Sequence, residues 1–299
     1  PHIGKLETQR GTCRHIPPIL PAPEDYRGRR LLGASHIGKV IQMKNTLKEK
    51  LQNHQQPIGT FFELGSANVA EALGKTGLDF IIIDKEHGPF EAESTLDYVR
   101  GTLLGGVSPL ARVREISRPA VLKLLDIGVH GLIVPDVHTV EQVQELVNYA
   151  KYAPIGKRGF CPTRKDCWGF AYPGTESVPV NMAVNNAETL LIPQCETVGC
   201  LENIETITAM EGVDGIFIGP FDLSISMGIP GQFDHPDFQA ALKRVREACH
   251  KNGKFCIYFT VNPDAIADGF QQGFDAMAYG LDAAVLVQAY RNILAKVRG

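Results

Sequence analysis

The sequence predicts a (β/α)8 barrel, a TIM barrel, with an N-terminal extension, and three observations lead there. Eight apolar, β-branched runs of strand length recur from residue 58 onward. Nearly every run is followed by a segment with helical period. Within the runs the hydrophobicity is continuous rather than alternating, as in a parallel sheet covered by helices. Eight such units match the barrel count. An open doubly wound sheet is the rival, but it would place a glycine-rich phosphate loop after its first strand, and Gly65-Ser66-Ala67-Asn68 is not one.

The elements follow in order. Residues 1–57 hold ten Lys/Arg and four Asp/Glu, a balance of +6, which leaves −9 on the remainder of a chain with net charge −3. The run Ile16-Pro17-Pro18-Ile19-Leu20-Pro21-Ala22-Pro23 cannot stay helical, because proline lacks the amide donor and clashes with the preceding turn. Residues 1–40 therefore read as an extension draped on the surface or partly disordered. Glu7, Glu24, Asp25 and the scarcity of serine argue against a transit peptide. Ile41 to Gln52 reads as an amphipathic helix with Ile41, Leu47 and Leu51 as its apolar points, so the barrel domain is set at 44–299 and the extension at 1–43.

Strands are expected at Ile58–Leu64, Phe80–Asp84, Ser108–Val113, Gly131–Val137, Thr189–Gln194, Gly215–Gly219, Phe255–Phe259 and Ala276–Gly280. Helices are expected at Asn68–Thr76, Ala92–Leu104, Arg118–Ile127, Val140–Tyr152, Asp237–Asn252, Asn262–Gln272 and Asp282–Val297. The long gap from Ala153 to about Glu188 reads as a functional loop, carrying Arg158, Arg164, Lys165, Trp168 and Tyr172.

Composition excludes several function classes. With 44% hydrophobic and 21% charged residues, the 299-residue chain holds a large core and is not globally disordered. No apolar stretch approaches the ~18 residues of a spanning helix, and the mild net charge gives no reason to expect nucleic acid. Seven irregularly spaced cysteines without a CxxC do not form a disulfide framework or a structural zinc site. No secretory signal is visible, so a cytoplasmic protein is expected.

In such a barrel the polar residues at the C-terminal ends of the strands line the active site. Here they are Asp84-Lys85-Glu86-His87, Arg112 and Arg114, Gln194-Cys195-Glu196, and Gly219-Pro220-Phe221-Asp222. Glu196 and Asp222 end consecutive strands, so their carboxylates converge. Two bare carboxylates that close repel, and a divalent cation resolves the repulsion. Mg2+ or Mn2+ suits two carboxylates completed by water and substrate oxygens, with Co2+ and Zn2+ as alternatives. Each acid taken alone equally fits a helix cap. His87 is the natural general base near neutral pH, whereas His130 and His138 read as structural. Arg112 suits capture of a carboxylate or a developing enolate, while Arg114 is expected to face solvent. Lys85, between two acids, reads as charged and paired rather than as a Schiff-base nucleophile.

These segments resemble the HpcH/HpaI aldolases, the 4-hydroxy-2-oxoheptanedioate aldolase family, which also includes 2-keto-3-deoxy sugar acid aldolases. The resemblance rests on Ile83-Asp84-Lys85-Glu86-His87, Leu124-Leu125-Asp126-Ile127-Gly128, Pro193-Gln194-Cys195-Glu196-Thr197 and Val213-Asp214-Gly215-Ile216-Phe217-Ile218-Gly219-Pro220-Phe221-Asp222-Leu223-Ser224. It runs from about residue 44 to the C-terminus. The resemblance implies a homotrimer or homohexamer whose last helix packs on a neighbouring subunit. It implies metal-dependent, class II, pyruvate aldol chemistry on small oxo acids, with no membrane partner. In that scheme Glu196 and Asp222 hold the ion, which chelates pyruvate and its enolate. Arg112 sits on the pyruvate oxygens, and His87 supported by Asp126 is the acid/base unit. Gln194, Gly219, Pro220 and Asp84 complete the pyruvate pocket.

The chain departs from the family at Lys85, Phe221, Cys195 and the loop Gly159–Trp168. Arg158, Arg164 and Lys165 favour a carboxylate-bearing acceptor, such as succinic semialdehyde, glyoxylate or a second pyruvate, the last giving 4-hydroxy-4-methyl-2-oxoglutarate. Three rival readings remain: an acyl-CoA lyase of the citrate lyase β or malyl-CoA type, a Schiff-base aldolase using Lys85, and a barrel that binds an oxo acid without catalysis.

Overall fold

Each of the expected apolar runs becomes a strand in the computed structural model, which describes residues 44–170 and 177–298. The expected extension at 1–43 and Tyr172 lie outside the described residues. The strands are β1 (Ile58–Phe62), β2 (Phe80–Asp84), β3 (Ser108–Arg112), β4 (Gly131–Val134), β5 (Leu190–Cys195), β6 (Gly215–Ile218), β7 (Phe255–Thr260) and β8 (Ala276–Leu281). They pair in parallel in sequence order, and β8 returns to β1 to close the barrel. No strand edge is left open, which is how a barrel satisfies every ladder.

The helices of the outer layer follow the expected pattern and are set by local chemistry. They include α1 (Thr46–Gln52), α2 (Ala67–Leu73), α3 (Ala92–Gly105), α4 (Arg118–Ile127) and α5 (Val140–Ala150). Ser117 caps α4 with its hydroxyl on the Ala120 amide, and Gly128, at φ +97°, ends it in a left-handed turn that a side chain would strain. Thr139 and Gln142 close a capping box on α5. α2 and α3 pack closely because Gly101 has no Cβ, which would lie 2.3 Å from the Ala67 carbonyl oxygen.

Beyond the long connection come α6 (Val178–Glu188), α7 (Val198–Glu202), α8 (Ile204–Ala209), α9 (Pro220–Ser226), α10 (Pro236–Lys251), α11 (Ala265–Gln272) and α12 (Asp282–Arg298). The stretch to Glu188, expected as loop, instead contains the helix α6. Asn181 is the buried residue of α6, and the helix is rich in asparagine, so it carries no apolar period to detect. α7, α8 and α9 span only five to seven residues each, below the length at which periodicity speaks.

Two apolar layers result. One lies between strands and helices; the other fills the barrel with Phe61, Phe80, Ile82, Leu110, Ile133, Ile192, Phe217 and Ile257. Leu47 and Leu51 of α1 belong to the inner layer, so α1 plugs the N-terminal end of the barrel. It is held there by the Leu47 amide donating to Ser108 Oγ at 3.0 Å and by Asn45 Nδ2 donating to the carbonyls of His130 and Glu188. At the same end the buried Lys151 ammonium lies 2.8 Å from Asp214 Oδ2 and 2.5 Å from the Thr189 carbonyl oxygen. No helix among the described residues is long and apolar enough to cross a membrane.

His130, at this end, is 5% exposed, and burial, aided by the Arg164 charge, pushes its pKa down to about 4. A histidine depressed below its unfolded value near 6.5 folds neutral. Stability is therefore complete above pH 6.5 and falls as the pH drops toward 4, by an amount on the order of 3 kcal/mol. Urea unfolding across that range should show the loss, and His130→Gln should remove that component of the pH dependence.

Candidate active site

Strand parity builds the site. Alternate side chains of a strand point to opposite faces, so the residues two beyond each interior apolar position also point into the barrel. Phe61 leads to Glu63, Ile82 to Asp84, Leu110 to Arg112, Ile192 to Gln194 and then Glu196, and Phe217 to Gly219. At the C-terminal mouth the inward layer thus changes from apolar to polar.

Asp84 and Arg112 are register partners on β2 and β3. Arg112 Nε donates to Asp84 Oδ1 at 3.0 Å and Nη2 to Oδ2 at 2.6 Å, with Asp84 wholly buried. Nη1 lies 3.1 Å from Glu86 Oε2, and the guanidinium carbon sits 4.7 Å from the centroid of the Phe61 ring. Burial opposes the Arg112 charge, but the Asp84 hydrogen bonds and the charges of Asp84, Glu86 and Glu196 hold its pKa above the usual arginine value. Asp84 Oδ1 also accepts the amides of Glu86 at 3.0 Å and His87 at 3.4 Å, which turns the chain and sets His87 at the rim.

Across the mouth, Glu196 Oε1 accepts the Asp136 amide at 2.7 Å, and Oε2 accepts Gln194 Nε2. Burial raises the Glu196 pKa, and the like charge of Asp222 adds to the rise. Gly219 has room for no side chain, since a Cβ there would lie 2.9 Å from Glu196 Oε2 and 3.0 Å from Gln194 Nε2. Asp222 stands in the first turn of α9, whose positive end favours a carboxylate. A cavity of about 320 Å3 collects His87, Arg112, Gln194, Gly219, Pro220 and Asp222 over a floor of aromatic rings.

The same cavity includes Glu63, which the sequence reading passed over. Its pKa is raised by burial and by the charges of Asp84 and Asp282. The signal was available, since Glu63 follows Phe61 by two residues at the end of β1. Asp136, which orients Glu196, was hidden because its contribution is a backbone amide at φ +56°.

Four expected site residues lie elsewhere in the same chain. Asp126 is near the C-terminal end of α4, and a helix descending from β3 ends beside the N-terminal face of the barrel. There Asp126 Oδ1 accepts Arg158 Nη2 at 2.7 Å, and among the described residues no hydrogen bond or ion pair joins it to His87. Arg158, Arg164 and Lys165 follow α5 rather than a strand, so their segment starts from that face and runs along α4. Arg164 Nη1 donates to the Ile127 carbonyl at 3.1 Å, and Lys165 Nζ to Asn185 Oδ1 at 2.5 Å. Burial, with the Arg158 charge, lowers the Lys165 pKa to about 7. None of these three lines the mouth cavity of its own barrel. Lys85 also turns away from it, sharing the outward parity of Ile81 and Ile83.

The donor set at the mouth fits a hard divalent cation. Its groups are oxygens, Glu196 has the like charge of Asp222 beside it, and among the described residues Gln194 Oε1 is buried without a hydrogen-bond partner. Among the described residues no group of three His, Cys, Asp or Glu side chains is placed to hold a metal alone. Glu196 and Asp222 would therefore share such an ion with water and substrate, as magnesium-type sites do.

Removing the charge of Asp84 leaves a buried guanidinium short of its main partner. Asp84→Asn should lower stability in urea unfolding by about 3 kcal/mol or more, the scale for breaking a buried ion pair.

The chain is similar to known proteins over most of its length. The chain is 32% identical over 252 residues to a hydroxypyruvate/pyruvate aldolase of Roseobacter denitrificans, covering 84% of this chain and 96% of that one. It is 32% identical over 255 residues to a 2-keto-3-deoxy-L-rhamnonate aldolase of Klebsiella pneumoniae, with coverages of 85% and 93%. Its fold matches the crystal structure of an HpcH/HpaI aldolase from Desulfitobacterium hafniense at a TM-score of 0.78 and 28% identity, over 84% of this chain and 96% of that one. The sequence profile of the HpcH/HpaI aldolase/citrate lyase family matches residues 57–289, and the chain belongs to that family.

Proposed function

We infer that this protein is a divalent-metal-dependent pyruvate aldolase, making or breaking the C–C bond of a 4-hydroxy-2-oxo acid with an aldehyde or 2-oxo acid as acceptor. The observation that carries the reading is the polar layer at the barrel mouth, where Asp222, Arg112 and His87 line one cavity and the buried Glu196 feels the charges of both Asp222 and Arg112. The aldolase names of the relatives support the same reaction class.

Glu196 and Asp222 would hold the ion, which when bound supplies Lewis acidity at the keto oxygen of pyruvate. Asp84 fixes two of the guanidinium nitrogens of Arg112, leaving further N–H groups of Nη1 and Nη2 for the oxygens of pyruvate. Because the guanidinium is already locked, it meets the negative charge of the developing enolate without reorganising. His87, at the rim, moves the proton between its ring nitrogen and the hydroxyl formed or consumed on the acceptor. Phe61, Phe217 and Phe259 keep the floor apolar, which strengthens each of these charge interactions. Deuterium exchange at the methyl group of pyruvate, followed by NMR, tests the donor half without an acceptor. Exchange should require Mg2+ or Mn2+ and fall by about a hundredfold or more in Arg112→Ala and Glu196→Ala. Full exchange in EDTA overturns the metal; none in the loaded enzyme, with or without an aldehyde present, overturns the pyruvate reading.

The acid/base pair implied by the family resemblance, His87 with Asp126, spans opposite ends of one barrel. If it operates, Asp126 comes from a second copy, and Arg158, which holds it, comes with it. The unpartnered face of α12, with Val287, Tyr290, Ile293 and Val297 exposed, is the surface on which copies would join as a trimer or hexamer. Co-expressing His87→Ala with Asp126→Asn should restore about a quarter of wild-type activity, the share of mixed sites with both residues intact. Recovery no greater than the sum of the two variants places both residues' action within one chain.

A further inference from the structure

A second cluster of charge lies on the other side of β2 from the mouth cavity. Lys85 follows Asp84 in the chain and points outward, into a cavity of about 180 Å3 between the first turns of α3 and α4. Arg114 and Lys123 line the same cavity, so three cations meet there, with Glu91 and Glu115 as the acids. Arg114 and Lys123 are exposed, whereas Lys85 is only 9% exposed; among the described residues its ammonium donates no hydrogen bond and has Glu91 Oε2 at 3.9 Å as its ion-pair partner. The side chain is held in place while its three N–H donors stay open to the cavity, ready for an acceptor.

Glu91 does not fill the need. Its side chain is 73% exposed, and its other oxygen is taken by Arg114 Nη2 at 2.5 Å. One carboxylate thus spans two cations, while Lys123 lines the cavity with no ion pair among the described residues. Burial lowers the Lys85 pKa; the Glu91 charge works against this, and the charges of Arg114 and Lys123 lower it further. The N-terminal turns of both helices, at Ala92 and at Pro119, add their positive ends to the same space. Leu124 and Ala120 supply an apolar wall on one side.

We propose that this cavity is a binding site for a phosphate group, separate from the reaction site, in which Lys85, Arg114 and Lys123 hold the oxygens. With the flexible Glu91 side chain displaced toward solvent, three cations and Glu115 leave a charge of +2, which a dianion matches. The volume exceeds that of a lone oxyanion, and the wall at Leu124 accommodates the carbon of a small phosphomonoester. The site does not depend on the aldolase reading, since none of its cations lines the mouth cavity.

The test is calorimetry on the full-length protein with two probes, glycerol 3-phosphate and inorganic phosphate. Either should bind at one site per chain, and tighter binding of the ester identifies an organic phosphate as the source. Lys123→Gln and Lys85→Met should each raise the dissociation constant by about tenfold or more. Lys85→Met keeps the side-chain length and removes a buried charge, so the fold is retained, as circular dichroism should show. Lys243→Gln, on the exposed side of α10, should bind as wild type, and pyruvate should not compete. No binding of either probe overturns the site. So does affinity unchanged in both cavity variants, or loss of binding in Lys243→Gln to the same degree.

Discussion

The ion pair between Asp84 and Arg112 is the constraint on which the mouth of this barrel depends. The two residues face each other in register on neighbouring strands, so the pair is built as soon as β2 and β3 align. Five carboxylates, Glu63, Asp84, Glu86, Glu196 and Asp222, surround a single arginine and the rim histidine. Without the guanidinium at their centre their mutual repulsion would open the mouth. Asp84 also anchors the turn that presents His87, so one carboxylate fixes the two groups to which the chemistry is assigned.

The two ends of the barrel divide their duties. At the N-terminal end, α1 plugs the interior with two leucines, and Lys151 is neutralised by Asp214 and by main-chain oxygens. Those charges are fully paired and hold the framework. At the C-terminal end pairing is incomplete by comparison, with Glu196 raised in pKa beside Asp222 and Gln194 Oε1 left without a donor. Among the described residues, buried polar atoms without a hydrogen-bond partner occur at Gln194 and Glu86 by the mouth and at His130, Tyr152, Arg158 and Asp166 away from it.

The placement of Asp126 and Arg158 gives the end opposite the mouth a further part. Arg158 is buried there, held between Asp126 at 2.7 Å and the Tyr152 ring at 4.7 Å.

The sequence by itself determined the eight-fold alternation, the barrel class and the strand-end residues of the mouth. Those follow from local rules: apolar runs have strand length, parity alternates, and polar residues at strand ends have one place to go. Glu63 obeyed the same rule and was legible in principle. What only the tertiary structure decided depends on which end of the barrel a connection occupies. Asp126, Arg158, Arg164 and Lys165 have the chemistry of a site, but a segment following a helix rather than a strand sits away from the mouth, and periodicity does not reveal that. Likewise α6 has no apolar period, and the Asp136 amide carries no side-chain signal. Lys85 shows both sides. Its position between two acids was visible, whereas its outward direction into a second cationic cavity came from the pleat of β2 and the packing of two helices around it.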